Sequence, residues 1–181
     1  MVKFKPAFIS TEPLLTQAEC NELIAAFEAK SPRSSKVGNE VVNYRKSEGM
    51  VLDPLEQKRV YEKIEAYARD INQAHWGYDL KSLGKLQFIR YAIGGHYDWH
   101  LDIGSGHNQL RKLSLVILIS PESDFEGGNL IIKNSAQDTT IPLKQGHAVL
   151  FPSFMLHKVE PVIQGFRYVL VGWLVGDRPF R

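Results

Sequence analysis

At 181 residues, the chain has the length of one domain that can bury a hydrophobic core without disulfides. Its 44% hydrophobic and 23% charged residues are typical of a soluble globular protein, and no apolar run approaches the roughly 20 residues that span a bilayer. A net charge of +2 without a Lys/Arg block argues against nucleic-acid and membrane-surface binding. Because Cys20 is the only cysteine and the N-terminus lacks the apolar core of a signal peptide, we expect a cytoplasmic protein.

The N-terminal half contains two stretches with helical periodicity. Thr16 and Glu19 have the spacing of a capping box, and Leu23 and Phe27 share the apolar side of the helix that follows. A second helix is predicted from residues 53–54, an Asp-Pro pair suited to a cap and a first turn, towards residue 75. The other predicted segments are a short strand at 7–9, a mobile loop at 31–39 and a strand at 41–47.

From about residue 80 onwards, short apolar or alternating runs are separated by Gly, Pro, Asn and Asp, which is typical of strands joined by turns. The predicted strands are residues 86–92, 113–119, 130–132, 139–143, 148–151 and 168–174. Without βαβ alternation or an internal repeat, we expect one α+β domain over residues 1–181 with an antiparallel barrel or jelly-roll core (a double-stranded β-helix). Residues 1–84 would form a helical support packed on one face, and residues 85–176 the core that carries the site.

Three residues have the types and spacing of a metal site. His100 and Asp102 are two apart, so on an extended segment both side chains point to one face. His157 follows a turn between two predicted strands, and two histidines with one carboxylate form the facial triad of non-haem Fe(II) oxygenases. His96 and His100 also have the spacing of a zinc-protease helix, but the general-base Glu is missing and Gly94-Gly95 would interrupt that helix.

Arg167 opens the last predicted strand, ten residues after His157. A guanidinium can hold a carboxylate through two parallel hydrogen bonds, whereas a Lys ammonium acts as a point charge. Strand alternation puts Arg167, Val169, Val171 and Trp173 on one face. If that face points inward, Trp173 lines the same pocket as the candidate metal ligands.

An ordered set of motifs surrounds these residues: Arg45-Lys46-Ser47, Tyr91-x-x-Gly94-Gly95-x-Tyr97-x-x-His100-x-Asp102, Arg111-x-x-Ser114, Gly127-Gly128, Gly146 with Phe151-Pro152, and His157 through Pro161-Val162 and Gly165 to Arg167 and Trp173. Residues 45–175 thereby resemble the 2-oxoglutarate- and Fe(II)-dependent dioxygenases, in particular the prolyl 4-hydroxylase-like branch. His-x-Asp alone is a weak signal, and the ordered set makes the resemblance specific. Trp99 before the first ligand, and Arg instead of Lys at position 167, look more like the bacterial and phage hydroxylases.

The resemblance implies a role for each matching residue. His100, Asp102 and His157 would bind Fe(II). Arg167 would pair with the distal carboxylate of the co-substrate 2-oxoglutarate, and the Tyr91 hydroxyl would donate to the same co-substrate. The other implied site residues are Trp173 in the co-substrate pocket, Arg111 either at the substrate mouth or in solvent, and Tyr97 and Trp99 either in the substrate groove or in packing.

One departure from the family pattern follows the glycine pair. The collagen-type enzymes usually carry Glu-Thr after it, and the Thr hydroxyl helps to bind the co-substrate, whereas this chain has Asn129-Leu130. We expect that contact either to be absent or to be supplied elsewhere, with Ser114 as the candidate. The prediction of 2-oxoglutarate rests on Tyr91 and Arg167, and the prediction of a prolyl substrate rests on fewer residues.

The predicted function is that of a dioxygenase that consumes O2 and 2-oxoglutarate, releases succinate and CO2 and hydroxylates a C–H bond, with ascorbate as a reductant. The first expected substrate is a prolyl or other residue of a peptide or protein, and the second is a free amino acid or small metabolite. Alkylated nucleic acid is disfavoured by the weak basic charge. Two alternatives stay open: a non-enzymatic jelly-roll module that holds another metal, and structural histidines that lie apart. The oligomeric state is left open as well.

Overall fold

The computed structural model describes residues 5–30, 33–34, 44–134 and 137–180. Helix α1 (Gln17–Ala29) confirms the predicted capping box, since the Thr16 hydroxyl accepts from the Glu19 N–H and the Glu19 carboxylate accepts from the Thr16 N–H. Helix α2 (Lys58–His75) begins later than predicted. The Asp53 carboxylate accepts two backbone N–H groups from the residues that follow it, so it caps a separate turn ahead of the helix.

The remaining elements are mainly short strands joined by turns. In chain order the strands are β1 (Phe8–Ile9), β2 (Arg33–Ser34), β3 (Arg45–Lys46), β4 (Glu48–Val51), β5 (Ser82–Leu83), β6 (Gln87–Tyr91), β7 (His96–His100), β8 (Arg111–Leu118), β9 (Phe125–Gly127), β10 (Leu130–Asn134), β11 (Gln137–Thr140), β12 (Ala148–Pro152), β13 (His157–Val159), β14 (Val162–Gly165) and β15 (Arg167–Val175). Every strand predicted from residue 86 onwards has a counterpart, although β11 ends at Thr140 and not at residue 143.

The prediction was less complete for residues 31–47. The predicted loop at 31–39 contains β2, which pairs with β4, and its other residues lie outside the described part of the chain. The predicted strand at 41–47 is represented by β3, while residues 41–43 lie outside the described part.

Two antiparallel sheets form the core. The larger sheet has the order β1-β12-β8-β15-β6-β4-β2, with β5 also paired to β15, and the smaller sheet has the order β11-β10-β13-β7-β3. Strands β14 and β9 form a separate antiparallel pair. Two helices beside two facing antiparallel sheets make an α+β fold with a jelly-roll core, as predicted.

The larger sheet separates two apolar clusters. Because side chains alternate along a strand, Leu170 of β15 joins the cluster on the helix side and Val169 joins the cluster between the sheets. Phe27 of α1 and Ile64 of α2 are fully buried on the helix side, whereas Ile132 of the smaller sheet is buried on the other. The helices therefore pack on one outer face, as predicted. None of the helices in the described residues combines the length and the apolar composition of a membrane span.

Candidate active site

A cavity opens between the two sheets and encloses about 470 Å³ of empty space, its mouth included. Strands β7 and β13 of the smaller sheet contribute His100 and His157, and Asp102 follows β7. Strand β6 of the larger sheet contributes Tyr91. The predicted alternation along β15 holds, since the cavity is lined by Arg167, Val169, Val171 and Trp173.

His100, Asp102 and His157 meet in the cavity wall, where β7 and β13 pair His100 with His157. Their candidate ligand atoms lie within 4.8 Å of one another, and no other such group of His, Cys, Asp or Glu occurs in the described residues. The Nε2 atoms of His100 and His157 are 3.9 Å and 3.6 Å from the Asp102 carboxylate, and all three side chains are buried. Two imidazole nitrogens and one carboxylate suit a divalent ion such as Fe(II), with further coordination positions open.

Backbone carbonyl groups fix both imidazoles. The Nδ1 atom of His100 lies 2.7 Å from the Asp98 carbonyl oxygen, and Nδ1 of His157 lies 2.9 Å from the Met155 carbonyl oxygen. Because a carbonyl oxygen only accepts, Nδ1 carries the proton in each ring and Nε2 presents its lone pair to the metal position. Burial, followed by the nearby His157, lowers the pKa of His100 to about 4, so this imidazole is neutral near pH 7, as a metal ligand must be.

Asp102 is held at both its side chain and its backbone. The Ser114 hydroxyl donates to the carboxylate over 2.6 Å and lies 3.0 Å from the Ser153 hydroxyl. Ser114 has a single hydroxyl proton, so Ser153 is the donor in the second bond. The Asp102 N–H donates to the Ser153 carbonyl, and Arg111 donates to the Asp102 carbonyl, each over 3.0 Å. Burial opposes ionisation of Asp102, but the nearby His157 and the Ser114 hydrogen bond outweigh it and hold its pKa below the usual value.

The position of Ser114 corrects the prediction that this residue contacts the co-substrate. Ser114 pairs with Trp173 across β8 and β15, six residues along β15 from Arg167. Its hydroxyl proton is donated to Asp102, and Ser114 is not among the residues that line the cavity. Ser114 therefore supports Asp102 at the metal end of the cavity, and Trp173 lines that same end.

At the other end, Arg167 is a buried cation that forms no ion pair with any described residue. Its side chain is 3% exposed, and its Nη1 has no hydrogen-bond partner among the described residues. Its cross-strand partner is Tyr91, whose ring centroid lies 5.7 Å from the guanidinium carbon. Burial lowers the pKa of Arg167 to about 10 and raises the pKa of the Tyr91 hydroxyl. An unpaired buried guanidinium is costly, so this end of the cavity suits an anionic ligand such as a carboxylate.

Gly128 makes room for the Arg167 side chain. Its φ is +64°, in the left-handed region that glycine adopts without strain. A Cβ atom at this position would lie 2.7 Å from Arg167 Cδ and 2.9 Å from Val162 Cγ2. The second glycine of the Gly127-Gly128 motif therefore allows the guanidinium side chain to lie against this turn.

A bulge in β7 turns Tyr97 towards the cavity. His100 and Tyr97 of β7 pair with His157 and Val159 of β13, so two residues of β7 lie opposite one of β13. Such a bulge interrupts the strand alternation. Tyr97 lines the cavity and stacks on His100, with 3.5 Å between the ring centroids.

The other two residues predicted at the substrate mouth do not line the cavity. The Trp99 ring lies on the outer face of the smaller sheet, with its centroid 5.4 Å from the Lys133 ammonium and 5.1 Å from the Lys158 ammonium. The Arg111 guanidinium carbon lies 3.7 Å from the Trp173 ring centroid, beside the metal end. Trp99 therefore packs beside the two ammonium groups, Arg111 donates to the Asp102 carbonyl, and neither is among the residues that line the cavity.

Three residues of the site had no predicted role. Arg45 of β3 lines the cavity, and its guanidinium carbon lies 4.7 Å from the Tyr97 ring centroid. The Arg45-Lys46-Ser47 motif formed part of the resemblance, but no role was predicted for Arg45. Gln87 lines the cavity from β6. Its position could have been predicted, because Gln87 is a polar residue that alternates with Ile89 and Tyr91 on the inward face of this strand. Ser153, which holds Asp102 through Ser114, carries no signal in the sequence that separates it from other serines in turns.

Comparison with known proteins identifies a matching family and several relatives. Residues 86–175 match the 2OG-Fe(II) oxygenase superfamily. A PKHD-type hydroxylase from Thermosynechococcus vestitus is 32% identical over 173 residues, which are 92% of this chain and 77% of that protein. A PKHD-type hydroxylase from Synechococcus sp. strain CC9605 is 40% identical over 96 residues, or 52% of this chain. The matched part spans 43% of the length of that relative and of another from Idiomarina loihiensis.

Solved structures share the architecture. A Pseudomonas putida prolyl-4-hydroxylase aligns with a TM-score of 0.75 and 20% identity, covering 95% of this chain and 93% of that one. The viral collagen prolyl hydroxylase of Paramecium Bursaria Chlorella virus-1 aligns with a TM-score of 0.72 and 23% identity, covering 95% and 97%. At these identities the likeness concerns the fold, and it confirms the predicted α+β fold with a jelly-roll core.

Proposed function

Since the chain belongs to the 2OG-Fe(II) oxygenase superfamily, we propose that it is an Fe(II)- and 2-oxoglutarate-dependent dioxygenase that hydroxylates a prolyl or other residue of a peptide or protein. One observation carries this proposal. A buried set of two histidines and one carboxylate shares a single cavity with a buried, unpaired guanidinium. A metal and a carboxylate-bearing co-substrate fit that combination, whereas a metal alone does not need the guanidinium.

His100, Asp102 and His157 would hold Fe(II). The fit is supported by the two Nδ1–carbonyl hydrogen bonds, which leave both Nε2 atoms free to ligate, and by the serine that orients the carboxylate. Together with O2 and 2-oxoglutarate, bound Fe(II) supplies the oxidising power for an unactivated C–H bond, with release of succinate and CO2. The chain contributes ligand geometry, burial from bulk water and orientation of the co-substrate.

Arg167 and Tyr91 would bind the distal carboxylate of 2-oxoglutarate. The unpaired Nη1 supports this role because a bound carboxylate would provide the partner that the described residues lack. The space that Gly128 leaves for the Arg167 side chain supports it as well. A module that only bound a metal would gain nothing from a buried, unpaired Arg167, so the non-enzymatic alternative is the weaker one.

The peptide substrate is supported by the proteins that share the fold. One of them is a prolyl hydroxylase from Trichoplax adhaerens in complex with a peptide fragment of hypoxia inducible factor, and it aligns with a TM-score of 0.79 and 18% identity. A free amino acid or small metabolite is the second candidate, favoured by the charged Arg45 in the cavity wall. We also propose a reducing, cytoplasmic location, for which the single, buried and unbonded Cys20 is the supporting observation.

The test is oxygen-dependent turnover with defined substrates. The purified protein is incubated with Fe(II), 2-oxoglutarate, ascorbate and air, alone or with a panel of proline-containing peptides, and with the His157→Ala variant as control. We expect succinate from the wild type only, and a peptide whose mass increases by one oxygen atom. Release of succinate without any hydroxylated peptide would contradict the proposal of a peptide substrate, and free amino acids would then be tested. No succinate under any condition would contradict the proposed reaction.

A further inference from the structure

Arg45 lines the cavity from the smaller sheet, whereas Arg167 lines it from the larger sheet. It belongs to β3, the edge strand of the smaller sheet, where it pairs with Tyr97 of β7. Its guanidinium carbon lies 4.7 Å from the Tyr97 ring centroid, and its Nε donates to the Ser47 hydroxyl over 2.8 Å. Its two Nη groups form no hydrogen bond or ion pair with any described residue.

The charges of the cavity leave Arg45 without a partner. Among the described residues that line the cavity, Asp102 is the one carboxylate, and it belongs to the proposed metal site. Arg167 adds a second positive charge, which the co-substrate carboxylate would neutralise. Arg45 is half-buried, and withdrawing part of a guanidinium from water without a counter-charge is unfavourable. One positive charge in the cavity therefore remains for a further anionic group.

Gln87 adds a neutral polar group to the same cavity. Its carboxamide forms no hydrogen bond within the described part of the chain, and it offers both a donor and an acceptor. Along β6 it lies four residues from Tyr91, or about 13 Å at 3.3 Å per residue. Gln87 is thus removed from the Tyr91–Arg167 end, and it lines the cavity opposite the smaller sheet that carries Arg45.

We propose that Arg45 and Gln87 form a substrate subsite that binds a carboxylate, so that the natural substrate is an acidic molecule or segment and not a neutral one. This deepens the proposed function and rests on it. The guanidinium binds the carboxylate through charge-assisted hydrogen bonds, and the Gln87 carboxamide binds a neighbouring amide or carbonyl group. The carboxylate belongs either to an acidic side chain beside the hydroxylated residue or to a free α-carboxyl group.

Two matched pairs of probes test the charge and its source. The first pair is the amidated peptides acetyl-Glu-Pro-Gly and acetyl-Gln-Pro-Gly, and the second is Gly-Pro with a free or an amidated carboxyl group. Binding is measured by calorimetry without O2, with Co(II) in place of Fe(II) and with 2-oxoglutarate present. The wild type should bind the acidic member of at least one pair about tenfold more tightly, as expected for hydrogen bonds to a charged group. The first pair reports an acidic side chain and the second a free α-carboxyl group.

Variants assign the preference to Arg45. Arg45→Gln should bring the ratio of dissociation constants to about one, and Arg45→Lys, which keeps the charge, should restore part of the preference. Lys46→Gln is the matched control, because that neighbouring side chain is exposed and its ammonium donates to the Ile93 carbonyl. It should leave the ratio of the wild type unchanged.

Three results would overturn the inference while leaving the reaction intact: equal binding within both pairs, no binding of any acidic member, or a preference that survives in Arg45→Gln. Weaker 2-oxoglutarate binding by Arg45→Gln in the absence of peptide would also overturn it, since it would assign Arg45 to the co-substrate. Failure of the wild type to bind 2-oxoglutarate, measured first in the same titration, would instead contradict the proposed function. Circular dichroism of each variant establishes that it is folded.

Discussion

Replacing Arg167 with a neutral side chain of similar length should stabilise the ligand-free protein and abolish binding of 2-oxoglutarate. Burial lowers the pKa of Arg167 from 12.5 to about 10. At about 1.4 kcal/mol per pKa unit, the charged form loses roughly 3 kcal/mol relative to a solvated arginine. Arg167→Met removes this cost, so we expect the free energy of unfolding without ligand to rise by about 1–3 kcal/mol, and the Tm by several degrees. The same change removes the carboxylate partner, so the Kd for 2-oxoglutarate should rise at least about 100-fold.

Urea unfolding of the ligand-free protein and anaerobic titration of the Co(II)-loaded protein with 2-oxoglutarate measure the two effects. Arg90→Met is the matched control, because Arg90 lies on β6 and forms ion pairs with Glu28 and Glu48. That variant should lose stability and keep its affinity for 2-oxoglutarate. A less stable Arg167→Met protein, or one whose affinity for 2-oxoglutarate stays within about threefold of the wild type, would refute the reasoning.

Further substitutions test the rest of the site. Gly128→Ala should displace the Arg167 side chain and weaken 2-oxoglutarate binding in calorimetry. Gly77→Ala is the control, because Gly77 also has a positive φ but nothing lies within 4 Å of its added Cβ, and it should leave binding unchanged. Equal effects of the two substitutions would contradict the contact between Gly128 and Arg167. Ser114→Ala should raise the Kd for Fe(II) by about 10–100-fold in a metal titration, and an unchanged Kd would remove its role on the carboxylate. Trp99→Ala should leave succinate release within about twofold of the wild type. A large loss would instead indicate that Trp99 binds the substrate.

Much of the metal and co-substrate ends could be predicted because the signals are local. His100 and Asp102 are adjacent to a strand end, and their two-residue spacing is visible without any knowledge of the fold. Arg167 begins a strand, and the alternation of side chains along that strand predicted that Val169, Val171 and Trp173 share its inward face. The capping box at Thr16 is local in the same sense, since both partners lie within one turn of helix.

The parts that the sequence left open or misplaced depend on distant pairing or on irregular backbone. Ser114 meets Asp102 because β8 lies beside β15 and β12, an arrangement that its own sequence window does not contain. The orientation of Trp99 depends on one bulge against β13, and a single extra residue reverses which side chains face inward. Arg45 lines the cavity only because β3 pairs with β7, which lies far from β3 in the sequence. Such contacts have no periodicity from which they could be derived.

We propose above all that His100, Asp102 and His157 hold a metal to which 2-oxoglutarate binds with the help of Arg167. Equilibrium dialysis of radiolabelled 2-oxoglutarate against the protein, without O2 and with or without Fe(II), tests it most directly. We predict saturation at one 2-oxoglutarate per chain in the presence of Fe(II), much weaker binding without it, and release of succinate when O2 is admitted. Binding of 2-oxoglutarate that is absent, or that is equally strong without the metal, would contradict this account.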